Sequence, residues 1–135
     1  MNGKVFLDSG IFIAFMNQRD QWHLQAVALF GRPKARWCTS ILVISEAYSW
    51  FLHRMGEEAA RTFRLMVDNL DGLQVFEATQ SHHQEVAKML DRFRGSKLTY
   101  VDASSLVFLL QHKIHQVWAT DHHLGLSGAH VLPRS

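Results

Sequence analysis

One cysteine, Cys38, and two prolines, Pro33 and Pro133, are all that 135 residues contain of either type. A lone cysteine excludes an intramolecular disulfide and reads as a buried apolar side chain. With so little proline, and with no Ser/Gly-rich or single-residue tract, neither a flexible linker nor a disordered region is expected. No repeat of fixed period is visible. Apolar runs such as "VFLL" are far too short to span a bilayer. The first residues enter a strand pattern directly, without the charged segment, apolar core and cleavage site of a secretory signal. These absences lead to the expectation of a soluble, cytoplasmic protein with no membrane association. A Gly-rich phosphate loop is missing, which argues against an NTPase. "HKIH" (His112 to His115) has no HExxH motif or paired cysteines beside it, which weakens a zinc site.

The chain is rich in core material. Hydrophobic residues make up 47% and aromatics 11%, enough for one compact domain over residues 1–135. Fourteen basic against twelve acidic residues give a net charge of +2, an ordinary balance that would help attract a polyanion but decides little.

Hydrophobic patterning alternates between strands and helices. "KVFLD" is a short buried strand, and "SGIFIAFMNQRD" turns helical or irregular. "QWHLQAVALFGR" is an amphipathic helix stopped by Gly31 and Pro33, and "RWCTS" is a short strand. Ser40 can cap the long helix "ILVISEAYSWFLHRM". A helix "EEAARTFRLMVDNLD", a strand "GLQVFEA" and a helix "TQSHHQEVAKMLDRFRGS" follow. The buried helix "LTYVDASSLVFLLQHK" and the strand "HQVWATD" come next, and "HHLGLSG" leads to a last strand, "AHVLP". This order predicts an α/β fold with a mostly parallel central sheet and helices on both faces.

Four acids stand out against this pattern. Asp8 ends the first strand and Asp121 the fourth, so both belong to the carboxyl edge of the sheet, where α/β folds place their functional crevice. Glu46 and Asp102 sit within apolar helical stretches, and neither has a cation three or four positions away. Each has a structural alternative. Asp8 and Asp121 can cap the segments after them, Thr99 and Asp102 fit a capping box, and Glu46 can face solvent. If the four converge, like charges about 4 Å apart cost on the order of 4 kcal/mol per pair at an effective dielectric near 20. Such a group must take up protons or a cation. An all-oxygen site suits Mg²⁺ or Mn²⁺ rather than zinc.

"VFLDSG", "TSILVISEAY", "LTYVDASSL" and "WATDHHL", in this order, resemble the acidic motifs of the PIN domain family, and especially the small bacterial toxin ribonucleases of VapC type. The resemblance runs over nearly the whole chain and implies a PIN-like three-layer sandwich. Carried over by position, it makes Asp8, Glu46, Asp102 and Asp121 the catalytic and metal-binding acids, with Asp8 and Asp102 foremost as direct ligands. Ser9 and Thr120 fall beside them, where a hydroxyl can orient a carboxylate or water. Leu124 departs from the family, which often has an aromatic residue there.

The resemblance further implies an Mg²⁺- or Mn²⁺-dependent endoribonuclease that uses an activated water and leaves a 5′-phosphate and a 3′-hydroxyl. It implies a small antitoxin partner and a homodimer as well. Ile41 to Leu52 and Ala59 to Leu70 are candidates for the dimer surface. Substrate contacts are expected from Lys88, Arg92, Arg94 and Lys97, and from Arg32, Lys34 and Arg36. The tryptophans read as core or interface residues, and His122 and His123 as neighbours of phosphate or surface residues. The alternative is a non-catalytic module that binds RNA or protein through the same fold. A phosphoacceptor receiver domain is disfavoured, because it would place a pair of acids where "FLDSG" has Asp8 alone.

Overall fold

The computed structural model describes residues 3–32 and 36–133. Pro33 and Lys34 lie outside these residues. Five strands and six helices alternate: β1 (Lys4–Leu7), α1 (Ser9–Met16), α2 (His23–Phe30), β2 (Arg36–Ser40), α3 (Ile41–Met55), α4 (Glu57–Asp68), β3 (Gln74–Phe76), α5 (Gln80–Arg92), α6 (Tyr100–Gln111), β4 (Gln116–Ala119) and β5 (His130–Pro133), with a 3₁₀ turn over His123–Ser127. The sheet has the order β3-β2-β1-β4-β5, and every pairing is parallel.

This order makes β1 the central strand and explains its composition. Val5, Phe6 and Leu7 are all buried, as expected of a strand with neighbours at both edges and helices on both faces. Phe30 of α2 packs on Trp37 and Trp118, so α2 covers their face of the sheet. Ser40, three residues after Trp37, is in register with Phe76, and side chains alternate along a strand, so Phe76 belongs to the opposite face. There it stacks on Phe108 of α6, with centroids 4.9 Å apart. Phe12, Phe51 and Phe63 are fully enclosed and join α1, α3 and α4 through ring contacts at 5.4 and 5.2 Å.

Local chemistry sets the element ends. Ser40 Oγ accepts a hydrogen bond from Val43 N–H and starts α3 directly from β2. Thr99 and Asp102 form a reciprocal capping box at α6. The third strand is shorter than its sequence pattern, beginning only at Gln74, because Gly72 takes a positive φ of 73° in the turn before it. Glycine reaches that conformation at no steric cost. Among the described residues, no helix is long and apolar enough to cross a membrane.

The chain moves from β1 to β2 and β3 on one side, then places β4 and β5 on the other. The strand order therefore reverses at β1, and a crevice opens beyond the carboxyl ends of β1 and β4. Asp8 N–H, donating 3.1 Å to Trp118 C=O, ties the two strand ends together at that point.

Candidate active site

Asp8 occupies the position before the first turn of α1 in an extended conformation, yet its side chain makes no capping hydrogen bond. The capping alternative therefore does not account for this carboxylate. It is 6% exposed, and burial pushes its pKa from 3.8 up to about 7. A hydrogen bond from the Ser9 backbone opposes the shift, while the charges of Glu46, Asp102 and Asp121 add to it. The three other acids thus bear on Asp8 electrostatically, and all four line a single cleft of about 560 Å³.

The other three acids are each held in place. Glu46, two turns into α3, accepts a 2.6 Å hydrogen bond from Ser9 Oγ. Asp102 is fixed by the capping box, with Thr99 N–H donating to its Oδ2 at 3.3 Å. Asp121 Oδ1 accepts from His123 N–H at 2.7 Å, the local turn that an Asp after a strand favours. His123 Nδ1 lies 3.0 Å from Asp121 Oδ1 and 3.4 Å from Asp102 Oδ2, between the two carboxylates but hydrogen-bonded to neither.

Gly10 and Thr120 complete the floor of the cleft. A Cβ on Gly10 would collide with Thr120 Oγ1, so the close approach of α1 to the end of β4 depends on glycine. The second wall belongs to α3. Glu46, Ser49, Trp50, His53 and Arg54 all line the cleft, following the i, i+3, i+4, i+7, i+8 spacing of one helix face. Val43, Ala47 and Phe51 are buried on the other side of the same helix.

The donors gathered around Asp8 are carboxylate and hydroxyl oxygens, the set preferred by Mg²⁺ and Mn²⁺. Among the described residues, no three acidic, histidine or cysteine side chains converge closely enough to enclose a metal ion.

The expected substrate-contact residues lie elsewhere. Lys88 is paired with Glu85 at 3.1 Å and Arg94 with Asp91 at 3.7 Å, while Arg92 covers the ring of Phe93. Lys88 and Arg92 border a separate depression between α5 and α6. Lys97 is exposed, with a positive φ of 57° in the turn before α6. None of the four lines the acidic cleft. Sequence reasoning missed Trp50 and Arg54 as cleft residues, although their positions four and eight residues after Glu46 were a readable signal.

Because the Asp8 proton is held more tightly in the folded chain than in the unfolded one, stability without metal falls as pH rises from about 4 to about 7, and the full cost persists above that. At neutral pH the cost is on the order of 3–4 kcal/mol. Asp8→Asn removes it, so thermal melting in EDTA at pH 8 should show the variant more stable than the wild type. Added Mg²⁺ should raise the melting temperature of the wild type more than that of the variant. An Asp8→Asn protein that melts below the wild type in EDTA would show that the carboxylate is not under this stress.

Comparisons with known proteins agree with the architecture. No curated protein matches the sequence. The structure of Mycobacterium tuberculosis VapC20, described as a sarcin-ricin loop cleaving toxin, superposes with a TM-score of 0.87 at 22% identity, covering 94% of this chain and 97% of that one. A toxin-antitoxin complex from Klebsiella pneumoniae matches with a TM-score of 0.66 at 14% identity over 96% of both chains. FitAcB from Neisseria gonorrhoeae gives 0.65 at 12% identity, over 94% of this chain and 95% of that one. At these identities the likeness concerns the fold. The family described as PIN domain matches residues 5–125, and the chain, with its acids at the carboxyl edge of a five-stranded parallel sheet, belongs to the PIN domain family.

Proposed function

We propose that the protein is an Mg²⁺- or Mn²⁺-dependent endoribonuclease and the toxin of a toxin-antitoxin pair. The observation that carries this reading is Asp8: a buried, uncapped carboxylate at the reversal point of the sheet, destabilised by three other acids. Nothing in the packing of the core requires a charge there. Membership of the PIN domain family and the fold shared with a loop-cleaving toxin support a nuclease. The fold shared with a toxin-antitoxin complex supports an antitoxin partner.

In this mechanism Asp8 and Asp102 would hold the cation, with Glu46 and Asp121 beside them in the same cleft. When bound, the cation lowers the pKa of a water and offsets charge on the scissile phosphate. Ser9 keeps the Glu46 carboxylate turned toward the cleft, leaving its other oxygen free to orient that water. Thr120 and Gly10 set the depth of the floor. No side chain is required as a nucleophile, and in-line attack by water would leave a 5′-phosphate and a 3′-hydroxyl.

The test is cleavage of a panel of structured RNAs by purified protein with Mg²⁺ or Mn²⁺. We expect cutting that EDTA abolishes and that Asp8→Asn, Glu46→Gln, Asp102→Asn and Asp121→Asn each lower by at least about a hundredfold. Cutting that survives EDTA and Asp8→Asn would refute the metal-dependent mechanism, and RNA left intact with both metals would favour a binding module.

Homodimerisation belongs to the same proposal. Ile41 and Val75 are 47% and 37% exposed, and they flank a groove of about 410 Å³ between α3, α4 and β3 that is lined chiefly by aliphatic side chains. An apolar exposed groove of this kind supports burial against a second copy. Light scattering should give twice the monomer mass, and a monomer mass at micromolar concentration would reject the dimer.

A further inference from the structure

The acidic cleft continues past its α3 wall. Met16 to Arg19, at the end of α1 and in the turn after it, form a second depression of about 530 Å³ together with Trp50, Arg54 and Met55. Trp50 and Arg54 line both spaces. A route therefore leads from the acids, past an indole and a guanidinium, to Arg19.

The chemistry along this route differs from that of the cleft. Four carboxylates repel a polyanion, so affinity for a nucleic acid has to come from cations close by. Arg19 and Arg54 are exposed, and neither pairs with a carboxylate among the described residues. Lys88 and Arg94, by contrast, are each partly neutralised by an acid three residues away. The Arg54 guanidinium sits 5.9 Å from the Trp50 ring centroid, a cation–π contact that places the two groups side by side. Trp50 packs edge-on against the buried Phe51, with centroids 5.3 Å apart at 89°. The core thus fixes the indole while part of it stays open to both depressions. Guanidinium groups match phosphate geometry, and an indole offers a stacking surface for any base.

Resting on the nuclease reading, we infer that this second depression is a track for the single-stranded RNA flanking the scissile phosphate, with Arg54 and Arg19 on phosphates and the Trp50 indole stacked on a base.

The test is binding of a labelled single-stranded RNA in EDTA, where the RNA stays intact, followed by steady-state cleavage with Mg²⁺. Arg54→Ala and Arg19→Ala should each weaken binding about tenfold at low salt and reduce the slope of log affinity against log salt by about 0.7. Trp50→Ala should weaken binding about tenfold with an unchanged slope, and Trp50→Phe should restore most of the loss. In cleavage the same variants should raise KM and leave kcat near the wild-type value. This division between salt-dependent and salt-independent losses would not arise from a structural defect, and melting curves identify any variant that fails to fold. Arg54→Gln, which removes the charge but keeps much of the side chain, then stands in for a misfolded Arg54→Ala, with the same loss of affinity and slope expected.

Unchanged affinity and slope in folded variants would overturn the track, as would losses confined to Lys88→Ala and Arg94→Ala, or a wild type that binds no RNA. RNA bound in the expected pattern but never cut with either metal would remove the nuclease reading and leave the track standing. RNA cut with wild-type KM by Arg54→Ala and Arg19→Ala would do the reverse.

Discussion

A carboxylate buried at the end of a central strand, within the fields of three others, is the constraint around which this chain is organised. Asp8 has little exposure and no capping partner, so its negative charge is opposed both by lost hydration and by Glu46, Asp102 and Asp121. Taken alone, that arrangement lowers stability. It persists because β1 is locked between β2 and β4 and because α1 begins at the next residue. The position of Asp8 is dictated by the sheet, and its chemistry by what the sheet brings beside it.

The surrounding acids resist dispersal because each also serves the local fold. Asp102 belongs to the capping box of α6, Asp121 closes the turn into His123, and Glu46 is tethered to Ser9. Moving any of these carboxylates away would break a hydrogen bond as well as relieve repulsion. Gly10 acts in the same direction by allowing α1 to approach Thr120. Under the proposed function, a site held in this way is preorganised, with its electrostatic stress stored where a bound cation would relieve it.

Much of this was legible in the sequence, for reasons that can be traced to particular residues. The switch between strand and helix periods gave the order of elements, and Ser40 and Thr99 marked helix starts through their capping chemistry. The strand order was not legible, since pairing of β1 with both β2 and β4 is a long-range property that no local pattern encodes. At Asp8 the sequence left capping and site chemistry open, and the missing capping bond now disfavours the first. Trp50 illustrates the opposite difficulty. Its apolar neighbours in sequence suggest a core residue, while the helix turns it with Arg54 toward the cleft. Lys88 and Arg94 carry acids three residues before them, Glu85 and Asp91, a helical spacing that announces the ion pairs the structure shows.

The most direct test of the account is titration of the Asp8 carboxyl by carbon-13 NMR, first in EDTA and then with saturating Mg²⁺. The account predicts a pKa near 7 in EDTA that falls sharply when Mg²⁺ is added, since a bound cation favours the ionised form. A pKa in the ordinary aspartate range in EDTA, unmoved by Mg²⁺, would contradict both the electrostatic stress at Asp8 and its role as a metal ligand.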